Sequence, residues 1–142
     1  MSVSANTVVI RVGRLMEICV RDGFRSIEDV EKQRGLITRA LATVPPTEQV
    51  VIAADWRACQ LMTQAAANAL GPMLGSFNTR IERSAILGAS TSPIAVLQFL
   101  RIVRDTKHSA RRVFEDRGAT LTYLSNCLSP AERERLGQFL FA

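Results

Sequence analysis

Residues 50–55 read Val-Val-Ile-Ala-Ala-Asp, a run with no polar break before its last residue. A strand with one solvated face alternates apolar and polar side chains, whereas a strand covered on both faces does not. This segment therefore belongs in the middle of a sheet with helices on both sides. Such burial is the habit of parallel sheets, whose strands are joined by crossover helices. The rest of the chain must supply flanking strands and covering helices.

The flanking segments meet that demand. Thr7 to Val12 and Leu15 to Arg21 are β-rich runs joined by Gly13-Arg14, a two-residue loop with glycine first, which suits a type II′ hairpin. In the second run Leu15, Glu17, Cys19 and Arg21 alternate with Met16, Ile18 and Val20, giving one mixed face and one apolar face. Ser26, with Asp29 three residues on, opens a helical spacing that predicts a helix from Ile27 to Thr43, stopped by Pro45-Pro46. The strand from Glu48 to Asp55 follows. A second helix is predicted from Thr63 to Ser76, with Gly71-Pro72 imposing a kink or an early stop.

Ile81 to Gly88 reads as a further strand. Ser92 then caps a third helix that has Pro93 at its first position and runs to about Thr106. Ala110 to Glu115 is the last strand. Asp116 caps a fourth helix to about Asn126, and Ser129-Pro130-Ala131-Glu132 is a full capping box for a fifth. The order ββαβαβαβαα predicts one α/β domain over residues 1–142, with its core in 7–126 and a terminal helix in 129–142. Its sheet should be mixed and mostly parallel, of about five strands with an antiparallel N-terminal hairpin.

Composition narrows the function. The chain has 142 residues, a size that suits a single core. Its longest apolar run, Ser92 to Leu100, falls short of a membrane span. The N-terminal residues lack the pattern of a signal peptide, which sets the expectation of a cytoplasmic protein. The three cysteines, Cys19, Cys59 and Cys127, are odd in number and never form a C-x-x-C pair, and His108 is the only histidine. Neither a disulfide framework nor a zinc or multi-histidine site is indicated, and no cofactor is expected.

The net charge of +5 sits in one half: residues 57–142 hold eleven bases against six acids, while residues 1–56 hold seven of each. A basic half can face nucleic acid, acidic lipid or an acidic protein surface. Aromatic side chains make up only 6% of the chain and do not interleave with the arginines, which argues against nucleic acid.

A hairpin ending in Gly23, a helix capped at Ser26, the strand VVIAAD, a loop and a further helix resemble the STAS-like domains, the group that includes anti-sigma factor antagonists. The resemblance spans roughly residues 7–126, and a weaker one runs to the smaller core of CRAL-TRIO lipid-transfer domains. In STAS-like proteins the equivalent strand ends on an aspartate, and a serine at the start of the next helix is phosphorylated. Aligning Asp55 without gaps places Thr63-Gln64-Ala65-Ala66 on that segment, with Ala65 at the phosphoacceptor position. The resemblance thus implies the fold without its usual switch.

Ligands in open α/β sheets bind at the carboxyl ends of strands, so Asp55, Trp56 and Arg57 are the first candidates. Asp55 offers a general base or a metal ligand; alternatively it ties down the following loop or pairs with Arg57 or Arg83. Trp56 lines a groove, or wedges between helix and sheet with its N–H satisfied. Thr63 keeps a hydroxyl beside Ala65 and is a helix cap or a partner contact.

Ser90 lies in the small-residue loop Gly88-Ala89-Ser90-Thr91-Ser92 ahead of a helix N-terminus, where anions can sit, though the loop lacks the lysine of a phosphate-binding P-loop. Arg101, Arg104 and His108, spaced three and then four residues apart, form one helical face suited to phosphate or an acidic partner. Asp105 and Glu115 partly neutralise it.

No catalytic constellation emerges. The expectation is a non-enzymatic protein-interaction or regulatory module of bacterial type with an unnamed protein partner, self-associating through its apolar third and fifth helices. The alternative is a binder of a small anionic ligand or lipid headgroup, using the strand ends and the basic third helix.

Overall fold

The computed structural model describes residues 6–60 and 62–142; the first five residues of the expected domain lie outside the described residues. Strands β1 (Thr7–Val12), β2 (Leu15–Cys19), β3 (Val50–Asp55), β4 (Ile81–Leu87) and β5 (Arg111–Phe114) form one sheet. Helices α1 (Ile27–Leu41), α2 (Gln64–Gly75), α3 (Pro93–Thr106), α4 (Arg117–Ser125) and α5 (Pro130–Leu140) cover it. The strand order is β1-β2-β3-β4-β5, antiparallel in the hairpin and parallel beyond it. This is the expected single α/β domain, with β3 at the centre.

That order explains the layering. When strands succeed one another in one direction across a sheet, right-handed crossovers all fall on the same face. Helices α1, α2 and α3 accordingly share a core with Met16, Ile18, Ile52, Ala54 and Ile86. Leu15, Val51, Ala53, Ala85 and Leu87 point the other way and are covered by Leu124, Leu128, Leu136 and Leu140 from α4, α5 and the turn between them. The unbroken apolar run of β3 is thus sealed by two separate cores.

The caps act as short-range start signals. The hydroxyls of Ser26, Thr63 and Ser129 and the carboxylate of Asp116 each accept the backbone N–H three residues on. At Ser129 the full capping box forms. Asp29, in contrast, reaches back to the N–H of Arg25, one residue before the cap, and so fixes the approach to α1.

Three local expectations fail. Ser92 makes no side-chain cap bond, and α3 starts on Pro93 alone, whose fixed φ suits a first helical position. Helix α1 stops at Leu41, two residues short of the predicted end. Of the kink or early stop expected at Pro72, the stop does not occur where it stands: Pro72 opens the last turn of α2, and the helix continues to Gly75. Neighbouring glycines matter more there. A Cβ on Gly71 would lie 2.7 Å from Cβ of Asp105, so glycine lets α2 ride close against α3.

The terminal helix settles inward. Leu136 and Leu140 are buried on the sheet, Phe139 is half-buried against the same core and Phe141 stays 50% exposed, so part of the apolar end of α5 is used within the domain. Glu17 on β2, itself 4% exposed, receives both Nε and Nη2 of Arg135 at 2.7 Å, a bidentate pair that fixes α5 against the hairpin.

Candidate functional site

Strand pairing brings Cys19, Asp55, Leu87 and Phe114 level at the carboxyl ends of β2 to β5. At the hairpin side of this row, on the α5 face, lies an open groove of about 540 Å³. That is within the size range of small-molecule sites. The face of β2 that reads as mixed in the sequence lines it through Glu17 and Cys19, and β1 adds Arg11. Arg21 and Arg57 come from the loops after β2 and β3, and Arg135 from α5. Four arginines therefore face two carboxylates, Glu17 and Asp55.

The acids are already engaged. Arg57 sends Nε to Asp55 Oδ1 at 3.0 Å and Nη2 to Oδ2 at 2.9 Å, and its backbone N–H adds a third bond to Oδ1 at 3.1 Å. Burial pushes the Asp55 carboxyl upward, but these bonds and the charges of Arg57 and Arg21 outweigh it, leaving Asp55 below the usual carboxylate range. The same pair raises Arg57. Such an aspartate is a poor proton acceptor. Cys19 is pushed up chiefly by burial, with Arg21 opposing and Asp55 assisting, so its thiolate is disfavoured. Arg21 makes no ion pair among the described residues.

Of the residues singled out in the sequence, only Asp55 and Arg57 meet in this groove. Trp56 turns to the opposite face and is 3% exposed, edge-on to Phe99 at 5.0 Å and tilted on Phe24 at 5.7 Å. It is the expected wedge, but its indole N–H finds no partner, against the expectation. Thr63 is spent as a cap: its hydroxyl accepts from Ala66 and donates to the carbonyl of Arg25 at 3.1 Å. Ser90 is exposed in a loop whose tight point is Gly88, where a Cβ would stand 3.0 Å from Val96; the glycine serves packing by α3.

Arg101 and Arg104 are exposed on α3, in the layer on the far side of the sheet from the groove. His108 does not share their face. Lys107, at φ 59, ends the helix in the left-handed region and redirects the chain. The imidazole then accepts the N–H of Ala110 on Nδ1 at 3.1 Å and donates from Nε2 to the carbonyl of Ile81 at 2.8 Å. Both nitrogens are taken up in joining β4 to β5.

Glu17, Arg21 and Arg135 escaped the sequence reading. The available signal was Glu17 itself, a carboxylate amid apolar neighbours in β2 that needs a cation once buried. Among the described residues no group of three or more His, Cys, Asp or Glu is placed to hold a metal ion, and no helix is long and apolar enough to cross a membrane.

The architecture is that of the STAS-like, or SpoIIAA-like, fold. The chain is similar to an uncharacterized protein of the DUF3478 family with a SpoIIAA-like fold from Shewanella loihica PV-4, known from a crystal structure. The two share 21% identity and superpose with a TM-score of 0.56 over 87% of this chain and 98% of the other. No protein-family model matches the sequence, and no curated protein matches it.

Proposed function

We propose that this chain is a non-enzymatic protein-interaction or regulatory module, a cytoplasmic component that self-associates on a STAS-like scaffold without the usual phosphoacceptor. The observation that carries this reading is the outer face of α3. Ile94, Leu97 and Leu100 stand there 66, 65 and 47% exposed, three residues apart in one row. Apolar side chains grouped on one helix face mark an interaction surface, whereas single exposed ones do not. Arg101 and Arg104 beside the row supply a polar rim.

Support for a non-catalytic role is chemical. Asp55 is saturated by Arg57, Cys19 is held as a thiol, His108 spends both nitrogens on backbone, and Thr63 spends its hydroxyl as a cap. Ala65, exposed in the first turn of α2, has no hydroxyl to modify. Leu97→Glu tests the interaction face. Light scattering at tens of micromolar should give a dimer for the wild type and a monomer for the variant, with stability unchanged within about 0.5 kcal/mol. A wild type that stays monomeric would sink the proposal of self-association.

The excess of arginine in the groove favours a second reading, a site for a small anionic ligand or headgroup. Pyrophosphate serves as a probe, because arginine forks match phosphate oxygens. Millimolar pyrophosphate should shift the Arg21 and Arg57 side-chain N–H resonances, and Arg21→Ala should weaken binding about tenfold. Unmoved resonances would dismiss it.

A further inference from the structure

On the face of the sheet covered by α1, α2 and α3, four side-chain atoms are buried with no hydrogen-bond partner: Gln33 Oε1, Trp56 Nε1, Ser84 Oγ and Arg111 Nε. Their residues are 3, 3, 1 and 4% exposed. All four residues line one internal cavity of about 20 Å³, walled elsewhere chiefly by aliphatic side chains such as Ile37 and Ile52. Interiors rarely strand even one polar group without a reason, and here the residues of all four line the same space.

Arg111 decides what that space suits. It is the one buried arginine among the described residues. Arg14, Arg57 and Arg135 each meet a carboxylate, but Arg111 meets none among the described residues. Its Nη2 is anchored by the carbonyl of Leu74 at 3.2 Å and by Asn78 Oδ1 at 3.3 Å, both uncharged acceptors, while Nε–H is left over. Burial lowers its pKa to about 10, which still leaves it cationic at neutral pH. A buried cation calls for a counter-charge.

Three of the lining residues, Arg111, Trp56 and Ser84, carry an N–H or O–H donor without a partner, and a half-turn of the Gln33 amide would supply a fourth. The volume admits one water-sized sphere and excludes phosphate, sulfate and carboxylates.

We propose that this cavity is a site for one halide-sized anion, of which chloride is the physiological representative, held by Arg111, Trp56, Ser84 and the amide of Gln33. A water molecule would also fit, and could accept two bonds and donate two. It would leave the arginine charge unbalanced, and that separates the two occupants.

The test uses the whole chain at fixed ionic strength, with chloride exchanged for gluconate, which is too large to enter. Above half-saturation each tenfold rise in chloride should raise the melting temperature by about 4 °C, because only the folded state binds. Crystals soaked in bromide should show an anomalous peak within hydrogen-bond reach of Arg111 Nε and Trp56 Nε1.

Arg111→Gln should abolish the chloride dependence. If that variant does not fold, Ser84→Ala removes one donor and should move half-saturation about tenfold upward. A melting temperature indifferent to chloride at fixed ionic strength, or water-sized density in the cavity without anomalous signal, would overturn the proposal.

Discussion

Trp56→Ala should lower the free energy of unfolding by about 3–5 kcal/mol, the range found when a large buried aromatic is truncated in a core that cannot collapse around the gap. The site leaves little room to relax. Phe24 and Phe99 contact the indole ring on two sides and are themselves 1% exposed, so both rings would border the cavity. The backbone of Trp56 is also fixed, its N–H donating to the carbonyl of Leu87 at 2.9 Å and its carbonyl accepting from Cys59 at 3.0 Å.

Trp56→Phe keeps an aromatic wedge and should cost less than half as much. Urea denaturation followed by far-ultraviolet circular dichroism measures both, since the only tryptophan is lost. A loss below about 1.5 kcal/mol for the alanine variant would mean that the residue is not the wedge its contacts indicate.

Glu132→Ala should cost about 2–3 kcal/mol, from a lost cap and stranded backbone donors. Its carboxylate accepts the N–H of Ser129 at 2.8 Å, completing the capping box, and with its other oxygen the N–H of Arg14 at 2.8 Å, in the hairpin turn. The turn is shaped to receive it. Gly13 sits at φ 57, and a Cβ there would overlap the Glu132 carboxylate. One side chain therefore joins the start of α5 to the far end of the chain's first ribbon.

This contribution depends on pH with a definite sign. Burial pushes the Glu132 carboxyl upward, but the N–H bonds from Ser129 and Arg14 outweigh it, and the folded-state value lies below the ordinary glutamate range. A group with a depressed folded value stabilises fully above its unfolded pKa and loses that stabilisation as pH falls through the folded one. The gap between wild type and Glu132→Ala should be widest near neutrality and narrow below about pH 4. A gap that stays constant from pH 7 to pH 3 would show that the ionised carboxylate is not what the two N–H groups require.

The contrast between these two residues shows what a sequence carries. Caps were legible at Ser26, Thr63, Asp116 and Ser129 because each acts on an N–H three residues away. The two-sided burial of β3 was legible because periodicity reports how many faces are covered. Partners remote in sequence were not. Arg14 with Glu132 and Glu17 with Arg135 are both separated by 118 residues, and nothing local to either member names the other.

The groove at the strand ends inherits that limit. Asp55 and Arg57 were found because they are neighbours, while Arg21 and Arg135 arrive from elsewhere in the chain. His108 was misplaced for a different reason. The helix stops on Lys107 in a conformation that favours glycine or asparagine, so its type gave no warning of the turn.

The sheet also has a history built into its order. Each strand lies beside the one synthesised just before it. A ribosome delivering this chain amino-end first thus presents every new strand with its edge partner already made, and loop closure spans only one helix at a time. Helix α5 departs from that rule: through Arg135 and Glu132 it reaches back over 118 residues to the opening hairpin. Assembly can therefore advance in step with translation and finish with a single long-range clasp.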